Sequence, residues 1–198
     1  MKKAAIIKAQ RRLDKARKAL ENVAHSTNHD DFESAWTDLL ISLNTIMTVL
    51  EKGAKDSPQS RQWFGGKKKE VRTDPLLRYL VQARNADEHG LEKVSEHVPA
   101  SLSVGRGNRF VHIEYVKFDH LGRMSAKFTA LDGRPLDVTH TLPHAALVAV
   151  SDDRFGDTFA PPNEHLGQSI DDPSPYWAGE KAVAYYQALI TEAAQRAA

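Results

Sequence analysis

From Ile6 onward the apolar positions fall at Ile6, Ala9, Leu13, Ala16, Leu20 and Val23, alternately three and four apart, with Lys, Arg, Asp and Glu in the gaps. That spacing predicts an amphipathic helix with one narrow buried stripe. A polar segment from His25 to Asp31 separates it from a second stripe, Phe32, Trp36, Leu39, Leu43, Ile46 and Leu50, widened by Leu40 and Met47. Asp30 or Asp31 is placed to cap this second helix, and the two read as an antiparallel hairpin. Gly53, Pro58 and Gly65-Gly66 read as punctuation of a connection containing Arg61, Trp63, Phe64 and the run Lys67-Lys68-Lys69. Asp74-Pro75 then predicts a helix start, because the aspartate accepts from free amides while proline takes a position whose N–H is unpaired anyway. This third helix offers Leu76, Leu77, Leu80, Ala83, Leu91 and Val94 for burial, and Gly90 ends or kinks it.

After Pro99 the period changes. Phe110 to Phe118 and Arg123 to Leu131 are rich in Val, Ile, Tyr, Phe and Thr and predict strands, with turns at Gly122 and Asp132-Gly133. Asp-Gly signals a hairpin onward to Leu136 to His140, and Ala145 to Val150 extends a small antiparallel sheet whose edge Pro135 marks. Ser103 to Gly107 is glycine-rich but lacks the lysine and strand-to-helix context of a phosphate loop, and reads as an entry to this region. Ser151 to Pro175 reads as irregular. Ser174-Pro175 opens a last helix with Ala178, Ala182, Tyr186, Leu189 and Ala193 on one side. The chain thus reads as mainly α within an α+β class, a four-helix bundle with a small antiparallel β-sheet inserted between helices three and four. The expected divisions are three helices over 1–99, a β-rich insertion and loop over 100–173, and the completing helix over 174–198.

Composition narrows the function classes. The 198 residues carry 27 basic and 26 acidic side chains, a net charge of +1, so any polyanion site must be local rather than global. Cysteine is absent, which excludes disulfides, thiolate metal sites and cysteine nucleophiles and fits a cytoplasmic location. The first apolar run ends after Ile7 and is followed by repeated Arg and Lys, unlike an export signal, and no stretch is long enough to span a bilayer. His25 with His29, and His140 with His144, have a spacing that ligates a metal jointly only on a helix. The first pair lies between helices and the second spans Pro143, so no metal is expected. His165 lies in a loop that reads as folding back over the bundle, chiefly to pack.

The densest chemistry is Arg84-Asn85-Ala86-Asp87-Glu88-His89. One reading is a solvated helix turn with Arg84 and Glu88 as an i,i+4 pair. The other is a site. On one helix Asn85 and His89 share a face while Arg84 and His89 lie roughly 140° apart, so a two-fold interface is needed to bring Arg and His into one cleft. The pattern Arg-polar-x-x-x-His near the end of the third helix of a bundle resembles the signature of the HEPN superfamily. That resemblance implies a homodimer and a metal-independent endoribonuclease without cofactor, of the kind found in phage defence and toxin–antitoxin systems. It assigns catalysis to Arg84, Asn85 and His89, with RNA as substrate and an antitoxin or other protein as a further partner. Trp63, Lys67, Lys68 and Lys69 are the expected RNA-binding residues, supplying stacking and backbone attraction. The alternative is a non-catalytic module of that family binding a protein or nucleotide.

Overall fold

The computed structural model describes residues 1–89, 93–105, 111–120, 123–131, 136, 138–152 and 156–197, with backbone alone at 88 and 89. The fold is mostly helical α+β, with five helices and several two-stranded antiparallel sheets among these residues. Two compact units divide it, one made of Met1–Glu96 with Ala145–Ala198, the other of His97–His144.

The helical unit follows from its stripes. α1 (Lys3–His25) buries Ala9, Leu13, Ala16, Leu20 and Val23 against α2 (His29–Ala54), which buries Phe32, Trp36, Leu39, Leu40, Leu43, Ile46 and Leu50. The cap of α2 is Asn28, whose side chain accepts from the Asp31 amide at 2.8 Å, while Asp30 and Asp31 complement the positive helix end. The helices approach closely at two places, α1 with the end of α2 and α5 (Pro175–Gln195) with both. A Cβ on Gly53 would lie 2.4 Å from the Ala5 Cβ, and one on Gly179 of α5 would lie 2.7 Å from Leu20 and 2.9 Å from Leu39. Glycine at these two places lets the backbones approach.

The expected connection after α2 is instead a helix, α3 (Pro58–Thr73). Ser57 caps it, accepting from the Ser60 amide at 3.2 Å, and Pro58 sits in the first turn. Phe64 and Val71 are buried, and this anchorage outweighs Gly65 and Gly66, which lie on the exposed side with nothing within 4 Å of their added Cβ atoms. The expected third helix is therefore the fourth, α4 (Pro75–His89), and the terminal helix is the fifth. α4 buries Leu76, Leu77, Tyr79, Leu80, Ala83 and Ala86. Gly90 and Leu91 lie outside the described residues. Ser174 caps α5, accepting from the Trp177 amide at 3.3 Å.

Four short strands also belong to the helical unit. β7 (Val150–Ser151) pairs with β8 (Thr158–Phe159), and β9 (Glu164–His165) pairs with β10 (Gln168–Ser169), within the segment expected to be irregular. The unit boundaries fall inside two strands that pair with each other, β1 (Ser95–Val98) and β6 (His144–Leu147).

In the second unit, β3 (Val111–Phe118) and β4 (Met124–Ala130) form the expected hairpin, with a register irregularity between Ile113 and Tyr115. β5 (Val138–Thr141) departs from the expected meander. Its partner is β2 (Ser101–Val104), so a non-local pairing takes the place of a hairpin with β4. Asp132-Gly133, the expected turn, lies outside the described residues. Several separate ladders thus replace one inserted sheet.

Candidate functional site

The hexapeptide occupies the last turns of α4. Arg84 and Asn85 are half-buried; the Arg84 Nη1 donates to Asn85 Oδ1 at 3.2 Å, and Asn85 Nδ2 donates to Gln82 Oε1 at 3.4 Å. Asn85 thus engages side chains of its own helix. His89 closes α4, and its side chain lies outside the described residues.

The lysine run lies on α3 among carboxylates. Lys67 Nζ is 3.0 Å from Glu192 Oε1 and 3.3 Å from Glu70 Oε2, and Trp63 Nε1 donates to Glu192 Oε2 at 3.1 Å. The Arg196 guanidinium lies over the Trp63 ring, 4.9 Å from its centroid. Partial burial pushes Glu192 up, but the hydrogen bonds from Trp63 and Lys67 prevail and hold it below the usual carboxylate range. Burial likewise pulls Lys67 down, and its bonds to Glu192 and Glu70 raise it on balance. Lys68 pairs with Glu51 at 2.7 Å, and Lys69 is exposed.

Where α3 meets α4, the cap expected at Asp74 carries a second set of contacts that the sequence did not show. Asp74 is buried, and its Oδ1 accepts from the Leu77 amide at 2.8 Å, capping α4. The same oxygen lies 3.0 Å from Nδ1 of buried His165, and Oδ2 accepts from the Leu166 amide. Leu166 and Gly167 both take positive φ, 49° and 77°, which turns the β9–β10 hairpin tightly onto the carboxylate. The His165 ring meets Tyr185 edge-on at 6.1 Å. His165 does fold back over the helices, as its loop suggested.

The remaining histidine pairs serve local contacts. His25 Nδ1 lies 2.7 Å from Glu21 O, His29 lies 3.2 Å from Glu33, and the His140 ring packs on Phe118. No helix of the described residues is long and apolar enough to cross a membrane.

The most concentrated charge lies on α1. This helix carries seven basic and two acidic residues, a surplus of five in a chain whose total is +1. At 100° per residue, Lys8, Arg11, Arg12, Lys15 and Lys18 fall on one arc of about 120° that borders the buried stripe on its Arg12 side, with the small buried Ala19 between them. Asp14 and Glu21 fall outside that arc. Asp14 lies 3.7 Å from Arg17, which also donates to Gln187 at 2.6 Å, so these two off-arc charges have partners of their own. Among the described residues the five arc cations have no ion-pair partner. Lys8, Arg11, Lys15 and Lys18 are exposed, and Arg12 is half-exposed. An open depression of about 390 Å³ runs along this face, lined by Ala4, Ile7, Lys8, Arg11, Arg12 and Lys15. Hydrophobic spacing alone shows these cations as gap-fillers; their angles on the helix separate them from the acids.

No curated protein and no solved structure matches the chain. One family model does, over residues 2–96, just under half of the chain and almost the whole first segment of the helical unit. This corrects the HEPN reading, since the stretch that carries Arg84 to His89 lies inside a match to a different family. Over α1 to α4 the chain is similar to the family described as bacteriophage lambda protein ea47.

Proposed function

We propose that the helical unit is a nucleic-acid-binding module whose contact surface is the outer face of α1. The observation that supports it is the arc of five cations that have no ion-pair partner among the described residues and no intervening carboxylate on the helix. Cations fixed on a folded helix displace condensed counterions from phosphates without first giving up an intramolecular partner. The chain's overall neutrality matters little, because attraction at this range is set by the local face and falls off within a Debye length of about 10 Å at 0.1 M salt. RNA, the partner expected from the sequence, is one member of this ligand class.

The test is binding of labelled nucleic acid followed by anisotropy across a salt series. If all five cations engage phosphates on a duplex, log K falls with log salt at a slope near −4.5, about a 500-fold loss between roughly 50 and 200 mM. The triple variant Lys8→Ala, Arg11→Ala, Lys15→Ala should lower the slope to about −2, at close to one unit per contact, with helicity by circular dichroism unchanged. A flat salt response, a variant that binds like the wild type, or equal competition by poly-glutamate would overturn the proposal.

A further inference from the structure

We infer that the ligand of the α1 face is double-stranded DNA, held by its phosphates with little reading of bases. This rests on the nucleic-acid reading above and adds the form of the ligand. Three features of the face point to a duplex. First, α1 contains no Phe, Tyr or Trp, so its outer arc has no ring on which an unpaired base could stack. Single-strand binders rely on such rings as well as on charge. Second, Lys8 to Lys18 recur at three- and four-residue intervals on a helix held by its buried stripe, so their points of attachment form a fixed array about 15 Å long at 1.5 Å rise per residue. A duplex presents a fixed lattice of phosphates at one charge per roughly 1.7 Å of axis, whereas a flexible strand must be ordered along the helix to match it. Third, the exposed side of an α-helix fits the wide major groove of B-form DNA, while the major groove of A-form RNA is too narrow to receive it.

Base reading has little to work with. Asn22 is the one amide on the arc, and Gln10, away from it, donates to Asp14 at 3.1 Å. Contacts from lysine and arginine to phosphate oxygens fix register and orientation and carry no sequence information, whereas an arginine turned to a guanine edge would. The shuffled-duplex comparison below therefore decides between the two uses of Arg11 and Arg12.

The preference can be put as a number. Counterion release per contact is about 0.9 for B-DNA against about 0.7 for single strands, so five contacts favour the duplex by about tenfold at 0.1 M salt. The experiment measures the full chain by anisotropy against four equal-length ligands of one sequence: duplex DNA, duplex RNA, and the corresponding single strands. Expected is duplex DNA first, about tenfold ahead of single-stranded DNA, and a shuffled duplex within the roughly fivefold that one mismatched pair costs a sequence reader. The variant with Lys8, Arg11 and Lys15 replaced by alanine should lose the duplex preference along with the affinity. A single strand that ties or wins, duplex RNA ahead of duplex DNA, or a shuffled duplex that loses more than this overturns the duplex inference. Absence of binding to all four ligands instead overturns the nucleic-acid reading itself.

Discussion

Asp74→Ala should destabilise the helical unit well beyond the loss of one helix cap, because a single buried carboxylate holds three groups from two distant parts of the chain. The Leu77 amide belongs to the first turn of α4, and losing its acceptor costs about 1 kcal/mol, as N-cap removals do. His165 is buried, so stranding its ring nitrogen costs about 1–2 kcal/mol, within the range for an unsatisfied buried donor. The Leu166 amide is closer to solvent, and water replaces part of its bond, which leaves about 0.5–1 kcal/mol. The sum is about 3 kcal/mol, enough to shift a urea midpoint by about 1 M or more at ordinary slopes. Urea unfolding followed by circular dichroism reads it directly. His165→Ala removes the loop contact and leaves the cap, so a double-mutant cycle isolates the Asp74–His165 coupling. Two results would refute the reasoning: a loss below about 1 kcal/mol for Asp74→Ala, or a His165→Ala cost that is the same with and without the carboxylate.

Gly65→Ala and Gly66→Ala should each stabilise the protein by about 0.5–1 kcal/mol, since both glycines lie inside α3 with open space around an added methyl; a fall in the thermal midpoint for either variant would contradict the helical assignment there. Glu192 has a pKa held below its usual 4.5, so the stability it contributes is present above that value and is lost as the pH falls through its lower folded value. Acid unfolding of Glu192→Gln, compared with wild type between about pH 5 and pH 2, should therefore show a flatter dependence, and parallel curves would remove the linkage.

The readable parts of the fold are those fixed by local chemistry. Ser174-Pro175 and Asp74-Pro75 mark helix starts because a side-chain acceptor and a proline act within one turn, and both starts are found where they read. The α1 and α2 stripes are legible for the same reason, one face of each repeating at the helical period. Gly65 and Gly66 mislead because their cost is local and their compensation is not. Phe64 and Val71 pack into the core, while Lys67 and Lys68 find acids on α5 and α2, and no window centred on the glycines contains those partners. The pairing of β5 with β2 fails to read for a similar reason, since the two strands are separated by the whole β3–β4 hairpin. Asp74 illustrates both sides at once: its capping role is visible three residues away, whereas its hold on His165 spans 91 positions and needs the fold.

The distribution of cations carries the same lesson into function. A run of three lysines is conspicuous in a sequence, yet a run along a helix spreads over 200° and meets whatever each side of the helix faces. Lys67 and Lys68 face Glu192, Glu70 and Glu51, so most of the run's charge is taken up inside the protein. The cations of α1 are scattered in sequence and concentrated in space, because spacings of three and four return them to one side while Asp14 and Glu21 fall on another. A phosphate approaching α3 must compete with carboxylates already in place at about 3 Å, whereas one approaching the α1 arc meets no competing carboxylate among the described residues. Since paired charges contribute little to a new partner and unpaired ones contribute about one released counterion each, affinity should follow the α1 substitutions and be nearly indifferent to Lys67 and Lys68.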